Sequence, residues 1–309
     1  MAGGPEKRAV LIAGPTASGK SALALAKARE SGGIIVNADA MQVYDVLRVL
    51  TARPSADQMQ GMPHRLYGAV PPAQRFSTGD WLRAVRLLLA EHAGRTLIFV
   101  GDTGLYFEAL TNGFAEVPEV PAAVTRTVEA EIAGLDGAAR GRLLADRDPE
   151  MAARLKVPDP QRVVRALAVL AVTGRSLARF QDEAVSGLLD GYALERIILN
   201  PEREVLRQRI ARRFAQMFSN GAVEEVRALL ALELDPSLPA MKAIGVPEIS
   251  AALRGEVTEA EAIERAVIAT RQYAKRQRTW FRNRMGDWSW IDKLGEFGQA
   301  GTGARERRR

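Results

Sequence analysis

Cysteine is absent from the 309-residue chain, which removes disulfides, thiolate nucleophiles and cysteine-held zinc from consideration. Histidine is almost absent too, so that His64 and His92 alone can supply imidazole. No run approaches the roughly 18 consecutive apolar residues of a membrane-spanning helix. The opening Met1-Ala2-Gly3-Gly4-Pro5-Glu6-Lys7-Arg8 lacks the apolar segment of a secretion signal. A cytoplasmic protein with no membrane partner is therefore expected. Net charge is +6 with an isoelectric point near 9.8, which permits a polyanionic partner without requiring one. Half of that excess comes from Arg305, Arg307, Arg308 and Arg309 against Glu306, behind a glycine-rich stretch from Gly295 to Gly303. Residues 293–309 thus read as a disordered basic tail. The rest is only mildly basic, and any argument for nucleic acid must rest on where its charges lie.

What is present begins with Gly14-Pro15-Thr16-Ala17-Ser18-Gly19-Lys20-Ser21, which fits G-x-x-x-x-G-K-S/T. Each part of the pattern has a chemical use. The glycines let backbone N–H groups curl round phosphate oxygens, Lys20 reaches an outer phosphate, and the Ser21 hydroxyl can hold Mg²⁺. Ala9-Val10-Leu11-Ile12-Ala13 ahead of it is a short apolar run suited to a strand buried on both faces. After it, Ser21 to Ala28 is rich in strong helix formers, so the loop opens onto a helix whose positive dipole end adds to the site.

Four more apolar runs read as strands: Ile34 to Val36, Leu66 to Val70, Thr96 to Val100 and Arg196 to Leu199. Helical patterns separate them, one opening on a capping box of Ser77 and Asp80. The alternation predicts an α/β fold with a parallel, doubly wound sheet of the P-loop NTPase-like kind, whose ligands sit at the carboxyl ends of strands. Between Asn112 and Ser186 the strand pattern stops, and proline-punctuated helical segments take over. The expected organisation is a P-loop core over 1–112 and 186–292 with C-terminal helices, plus an all-helical insertion over 113–185. Beyond Asn200 the chain reads as helical up to the tail.

Two acids stand where strands end. Asp39 follows the second strand, beside the phosphate loop if the two strands are neighbours, and can be a metal ligand, a general base or the cap of the next helix. Asp102, in Val100-Gly101-Asp102-Thr103-Gly104, resembles the metal-holding acid of a phosphoryl-transfer enzyme, which points to a small-molecule kinase. Alternatively the two glycines bring Thr103 close to a phosphate, or form a turn that touches no ligand.

These stretches together resemble the tRNA dimethylallyltransferases, also called tRNA isopentenyltransferases. The likeness runs through Gly14 to Ser21, Asn37 to Tyr44, Arg53-Pro54, Pro63 to Leu66, Thr103 to Tyr106, Asp159 to Arg162 and Ala269 to Gln277, in order and spacing. It implies a phosphate loop reused for dimethylallyl diphosphate, with Mg²⁺, and transfer of the dimethylallyl group to N6 of adenosine 37 in a tRNA anticodon loop carrying adenosines 36 and 37. By that resemblance Asp39 is the general base, Thr103 lies at the reacting centre and Arg213 faces the diphosphate. Gly14, Pro15, Thr16, Ala17, Ser18, Gly19, Lys20 and Ser21 bind the diphosphate, and a monomer is expected. Two positions depart from the family pattern: Asp102 replaces a glycine, and Ala40 replaces a serine. An inactive tRNA-binding descendant is the reading that the first of these keeps open.

Segments expected to touch tRNA follow from the same comparison. Asp39, Ala40, Met41 and Gln42 would meet the target base and its neighbours, with Thr103 beside them. Gln161, Arg162, Val163, Val164 and Arg165 begin a helix capped by Asp159, where a cation in the first turn opposes the dipole and hints at a phosphate. Arg126 is a further candidate in the insertion. Arg271, Lys275 and Arg278, with Arg282, are spaced four, three and four apart on one face of a long helix starting near Thr258.

Overall fold

A computed structural model describes residues 7–183 and 185–292; the expected basic tail at 293–309 lies outside the described residues. Six parallel strands form one sheet: β1 (Arg8–Ala13), β2 (Ile34–Asn37), β3 (His64–Arg65), β4 (Leu97–Gly101), β5 (Ala193–Leu199) and β6 (Ser289–Ile291), in the order β3-β2-β4-β1-β5-β6. β2 and β4 are buried at every position and β1 at all but the first, which is why they read as continuous apolar runs rather than alternating ones.

Two expectations are corrected. The strand expected at Leu66 to Val70 lies earlier, where His64 and Arg65 pair with Ile35 and Val36. Leu66 at φ 63° and Gly68 at φ 56° then turn the backbone out of the extended region, leaving Val70 an isolated bridge to Tyr44. The stretch beyond Asn200 is not wholly helical, since β6 pairs Ser289, Trp290 and Ile291 with Ile197, Ile198 and Leu199. Three residues are too few to leave a period-two signature.

The helices are α1 (Lys20–Ser31), α2 (Ala56–Met59), α3 (Thr78–Glu91), α4 (Gly104–Asn112), α5 (Ala122–Ile132), α6 (Gly137–Arg147), α7 (Pro149–Arg154), α8 (Pro160–Thr173), α9 (Leu177–Gln181), α10 (Arg203–Ser219), α11 (Ala222–Leu230), α12 (Val246–Leu253) and α13 (Glu259–Arg284). Reciprocal capping boxes start α3, through Ser77 and Asp80, and α13, through Thr258 and Glu261. Asp159 caps α8 by accepting from the Arg162 N–H, with Pro160 as its first residue.

The chain forms two compact units, one of residues up to Ala109 together with those from Leu189, the other of Leu110–Leu188. In the second, α5 to α9 enclose an apolar core that includes Val128, Ile132, Leu144, Met151, Val163 and Leu167. In the first, α1 packs on the sheet through Leu23, Ala24 and Ala28 against Ile12, Ile35 and Ile98. A larger core joins α10, α11, α12 and α13 through Leu206, Phe214, Val226, Ile249 and Ala266, and reaches Tyr44 and Leu47.

Trp81, at the first turn of α3, locks that helix to the end of β2. Its ring is fully buried and stacks on Tyr106 at 4.4 Å, while its indole N–H donates to the Asn37 carbonyl at 2.8 Å. Trp81→Phe keeps an aromatic ring and leaves that buried carbonyl without its donor, so urea unfolding should show a loss of about 1–3 kcal/mol. Leu87→Ala, at a position 71% exposed, should change stability by less than about 0.5 kcal/mol.

Candidate active site

The site starts at the end of β1. Gly14 must lack a side chain, because a Cβ there would lie 2.6 Å from the Leu199 carbonyl and 2.8 Å from Ser18 Oγ. The loop then turns through positive φ at Ala17 (63°) and Gly19 (100°), and α1 begins with no side-chain cap. As a result the N–H groups of Ala17, Gly19, Lys20 and Ser21 donate to no acceptor among the described residues. Converging unpaired amides at a helix start form an anion cradle. Lys20 Nζ reaches back towards the Pro15 carbonyl at 3.5 Å and lies 3.8 Å from Asp102 Oδ2. Ser21 is exposed, and its hydroxyl makes no hydrogen bond among the described residues.

Asp39 does not adjoin this loop directly, because β4 lies between β2 and β1. The residue next to the loop is Asp102, immediately after β4, with Asp39 on its far side. The two strand ends are pressed together at Gly101, where a Cβ would fall 1.9 Å from the Ala38 carbonyl. That approach lets Thr103 N–H donate to the Ala38 carbonyl at 3.2 Å and Ala40 N–H donate to Thr103 Oγ1 at 2.9 Å. Thr103 is thereby fixed against the segment that carries Asp39.

Asp39 caps a turn and not a helix: its Oδ1 accepts from the N–H groups of Met41 (2.8 Å) and Gln42 (3.3 Å). Asn37 clamps the same residue, accepting from Asp39 N–H and donating to the Asp39 carbonyl, both at 2.9 Å. Burial, then the neighbouring Asp102 charge, push the Asp39 carboxyl up to about 7, against the pull of Lys20 and the two N–H donors. Arg213, half-buried on α10, makes no ion pair among the described residues; burial lowers its pKa while Asp39 and Asp102 oppose that shift, so its charge acts on both acids. Met41 is half-buried against apolar side chains, and the Gln42 amide is engaged with the Thr51 carbonyl at 2.8 Å.

Three contributors escape a reading of the sequence. Gln277 of α13 is only 5% exposed; its Oε1 accepts from Thr16 N–H at 3.1 Å and its Nε2 donates to the Asp102 carbonyl at 3.4 Å. One amide thus ties the cradle to the β4 loop. Arg209 of α10 donates to the Ser18 carbonyl at 3.0 Å. Trp280 packs so close to Gly104 that a Cβ there would sit 2.1 Å from its Nε1. The available signal was a glutamine on the face that Thr270, Ala274 and Phe281 bury, at spacings of four, three and four.

Arg271 and Lys275 are exposed on another face of α13 and Arg278 is half-exposed. With Arg203, Arg207 and Arg282 they line a groove of about 500 Å³ between α10 and α13 that has no acid in its wall. In the helical unit, Arg126, Gln161, Arg162 and Arg165 are exposed. Val163 and Val164 are 0% and 8% exposed, and their side chains belong to that unit's core. No helix among the described residues is long and apolar enough to cross a membrane.

The sheet, the cradle after its β1 strand and the acid after the adjacent strand define a P-loop protein of the NTPase-like α/β fold. The IPP transferase family model matches residues 42–284, and the isopentenyl transferase model matches 7–69. A tRNA dimethylallyltransferase of Chelativorans sp. (strain BNC1) is 55% identical over 285 residues, covering 91% of this chain and 98% of that protein. One from Agrobacterium fabrum is 53% identical over 281 residues, 90% and 94% of the two chains. Among solved structures, a tRNA isopentenylpyrophosphate transferase from Bacillus halodurans superposes with a TM-score of 0.67 at 32% identity, over 94% of this chain and 93% of that one. A eukaryotic dimethylallyltransferase acting on tRNA gives 0.79 at 25% identity, over 96% and 76%. The chain belongs to the tRNA dimethylallyltransferase family.

A carboxyl held at about 7 against an ordinary value of 3.8 has a consequence for stability. Between those values the folded protein keeps a proton that the unfolded chain has released, so stability falls as pH rises through the window, and the cost persists above it. Asp39→Asn retains an acceptor for the Met41 and Gln42 N–H groups without the charge. Its urea midpoint should exceed that of the parent at pH 8, with the difference shrinking towards pH 4.

Proposed function

We propose that this protein transfers a dimethylallyl group from dimethylallyl diphosphate to N6 of adenosine 37 in tRNA. The observation that carries the reading is the pairing of an amide cradle whose N–H groups meet no acceptor among the described residues with the buried Asp39 carboxyl at the end of β2, one strand beyond β4. Adenine N6 is a poor nucleophile, since its lone pair is delocalised into the ring. Asp39 takes a proton from it as the bond to the prenyl C1 forms, and a base with pKa close to the working pH is suited to that task. The departing diphosphate gathers negative charge, which the amides of Ala17, Gly19, Lys20 and Ser21, the Lys20 ammonium and the Arg213 guanidinium stabilise. Thr103 Oγ1, already accepting from Ala40 N–H, keeps its own proton to donate towards the reacting centre.

The residues present fit a divalent cation. Among the described residues the exposed Ser21 hydroxyl makes no hydrogen bond and a buried carboxylate oxygen of Asp102 has no donor, so oxygen ligands are available to a hard ion. Ser21 would hold a Mg²⁺ ion here, and the ion would supply charge neutralisation for the leaving group.

For tRNA, the basic groove formed by Arg271, Lys275 and Arg278 suits a phosphate backbone, and Arg126, Gln161, Arg162 and Arg165 offer a second exposed set. The kinase reading, which rested on Asp102 alone, gains nothing from family membership.

The reading is tested by incubating the protein with radiolabelled dimethylallyl diphosphate, Mg²⁺ and unmodified tRNA carrying adenosines 36 and 37. Label should appear in the RNA; ATP turnover that depends on a metabolite and ignores tRNA would select the kinase instead. Because the base works deprotonated, kcat/KM should rise with pH while Asp39 loses its proton and level off once it is ionised, and Mg²⁺ at the site should move that rise to lower pH by offsetting the Asp102 charge. Asp39→Asn should lose roughly 10²–10⁴-fold in transfer with tRNA affinity nearly unchanged. Lys275→Ala should weaken tRNA binding and reduce the slope of log affinity against log salt by about 0.7–0.9.

A further inference from the structure

We propose that Asp102 is itself a metal-holding carboxylate, so that this protein binds Mg²⁺ at the end of β4 before any diphosphate arrives. The inference rests on the phosphate-site reading above and extends it to a residue that departs from the family pattern.

Position comes first. β1 and β4 are hydrogen-bonded neighbours with Ala13 level with Gly101, so Asp102 stands beside Gly14, where the cradle begins. Next is the state of its carboxylate. Asp102 is 5% exposed, and its Oδ1 is sealed from solvent with no hydrogen-bond donor. Its Oδ2 has Lys20 Nζ at 3.8 Å, well beyond the roughly 2.7–2.9 Å of a charge-assisted hydrogen bond. The nearest cation therefore leaves one oxygen bare and compensates the other poorly, although buried carboxylates are ordinarily paired or bound to metal. The Gln277 amide does not relieve this, because it donates to the backbone carbonyl of Asp102 and not to the side chain.

Two serines of the phosphate loop carry further oxygen donors. Ser18 Oγ is buried at 1% exposure with no partner, and the Ser21 hydroxyl is free at the start of α1. Mg²⁺ takes oxygen donors, often one or two carboxylates with waters and substrate phosphates. A bare carboxylate beside an anion cradle would repel diphosphate, whereas the same carboxylate holding a divalent cation attracts it. No group of three or more His, Cys, Asp or Glu gathers among the described residues. Asp102 would be the one carboxylate ligand, with hydroxyls and water taking the remaining positions.

The test uses the full chain without tRNA or prenyl donor. Mn²⁺, standing for Mg²⁺, is titrated into the protein and free ion is read by electron paramagnetic resonance, with Mg²⁺ as competitor. The parent should bind one Mn²⁺ that Mg²⁺ displaces, and Asp102→Asn and Asp102→Gly should each weaken it at least tenfold while their urea midpoints show a retained fold. Asp102→Gly restores the family's own residue, which guards against a folding failure. Equal Mn²⁺ affinity in the parent and both variants would overturn the proposal, as would absence of Mn²⁺ binding to the parent. The transfer assay is scored separately. Label reaching tRNA with Mn²⁺ affinity indifferent to position 102 overturns the metal site alone, whereas Asp102-dependent Mn²⁺ binding without transfer overturns the activity alone.

Discussion

The contact between Gly101 and the Ala38 carbonyl is the constraint on which the site depends. With no room for a Cβ, β2 and β4 end against one another, and their continuations exchange hydrogen bonds at Thr103 N–H and Ala40 N–H. Those bonds bring Asp39 and Asp102 into one buried space. The high pKa of Asp39 follows from that crowding, since burial and a like charge both penalise its ionised form. A side chain at position 101 would part the strand ends and loosen both effects together.

Charge at the site is arranged so that neither acid is fully answered. Lys20 is near Asp102 but at a long distance, and Arg213 acts on both acids without a direct bond to either. A structure selected only for stability would close these pairs or replace them with apolar groups. The unclosed pairs, the unused cradle amides and the partnerless Ser18 hydroxyl lie together at the carboxyl end of one sheet. Polar groups left unsatisfied in a protein interior are costly, and Ser18 Oγ and Asp102 Oδ1 are two such groups at the cradle, where a ligand would supply the missing partners.

The parts of this protein that could be read from the chain are those whose cause is local. The cradle is legible because its glycines and Lys20 are set by turn geometry within eight residues, and the capping boxes of α3 and α13 because a cap spans four. The strands buried on both faces announce themselves as apolar runs. What failed to show depends on contacts distant in sequence. β6 exists because β5 offers an edge, and the pairing of Gln277 with Thr16 crosses 261 positions. The order of β2, β4 and β1, which decides that Asp102 and not Asp39 adjoins the loop, is likewise invisible in any one segment. In α8 a segment singled out for the cation Arg162 in its first turn also carries, at Val163 and Val164, side chains that build the core of its own unit.

α13 brings local and distant causes into a single element. Thr270, Ala274, Gln277 and Phe281 face inward, and Gln277 alone among them spends hydrogen bonds on both the cradle and the loop after β4. Arg271, Lys275 and Arg278 lie one residue further along from each of the first three, on the side that lines the basic groove. A helix of 26 residues with a capped start and a packed face is stiff. The residue that braces the cradle and the cations that line the groove are therefore held at fixed offsets by the same backbone. Displacing that groove wall means moving Gln277, and moving Gln277 releases Thr16 N–H and the carbonyl of Asp102. The geometry of the amide cradle and the position of the basic face are in this way one structural quantity.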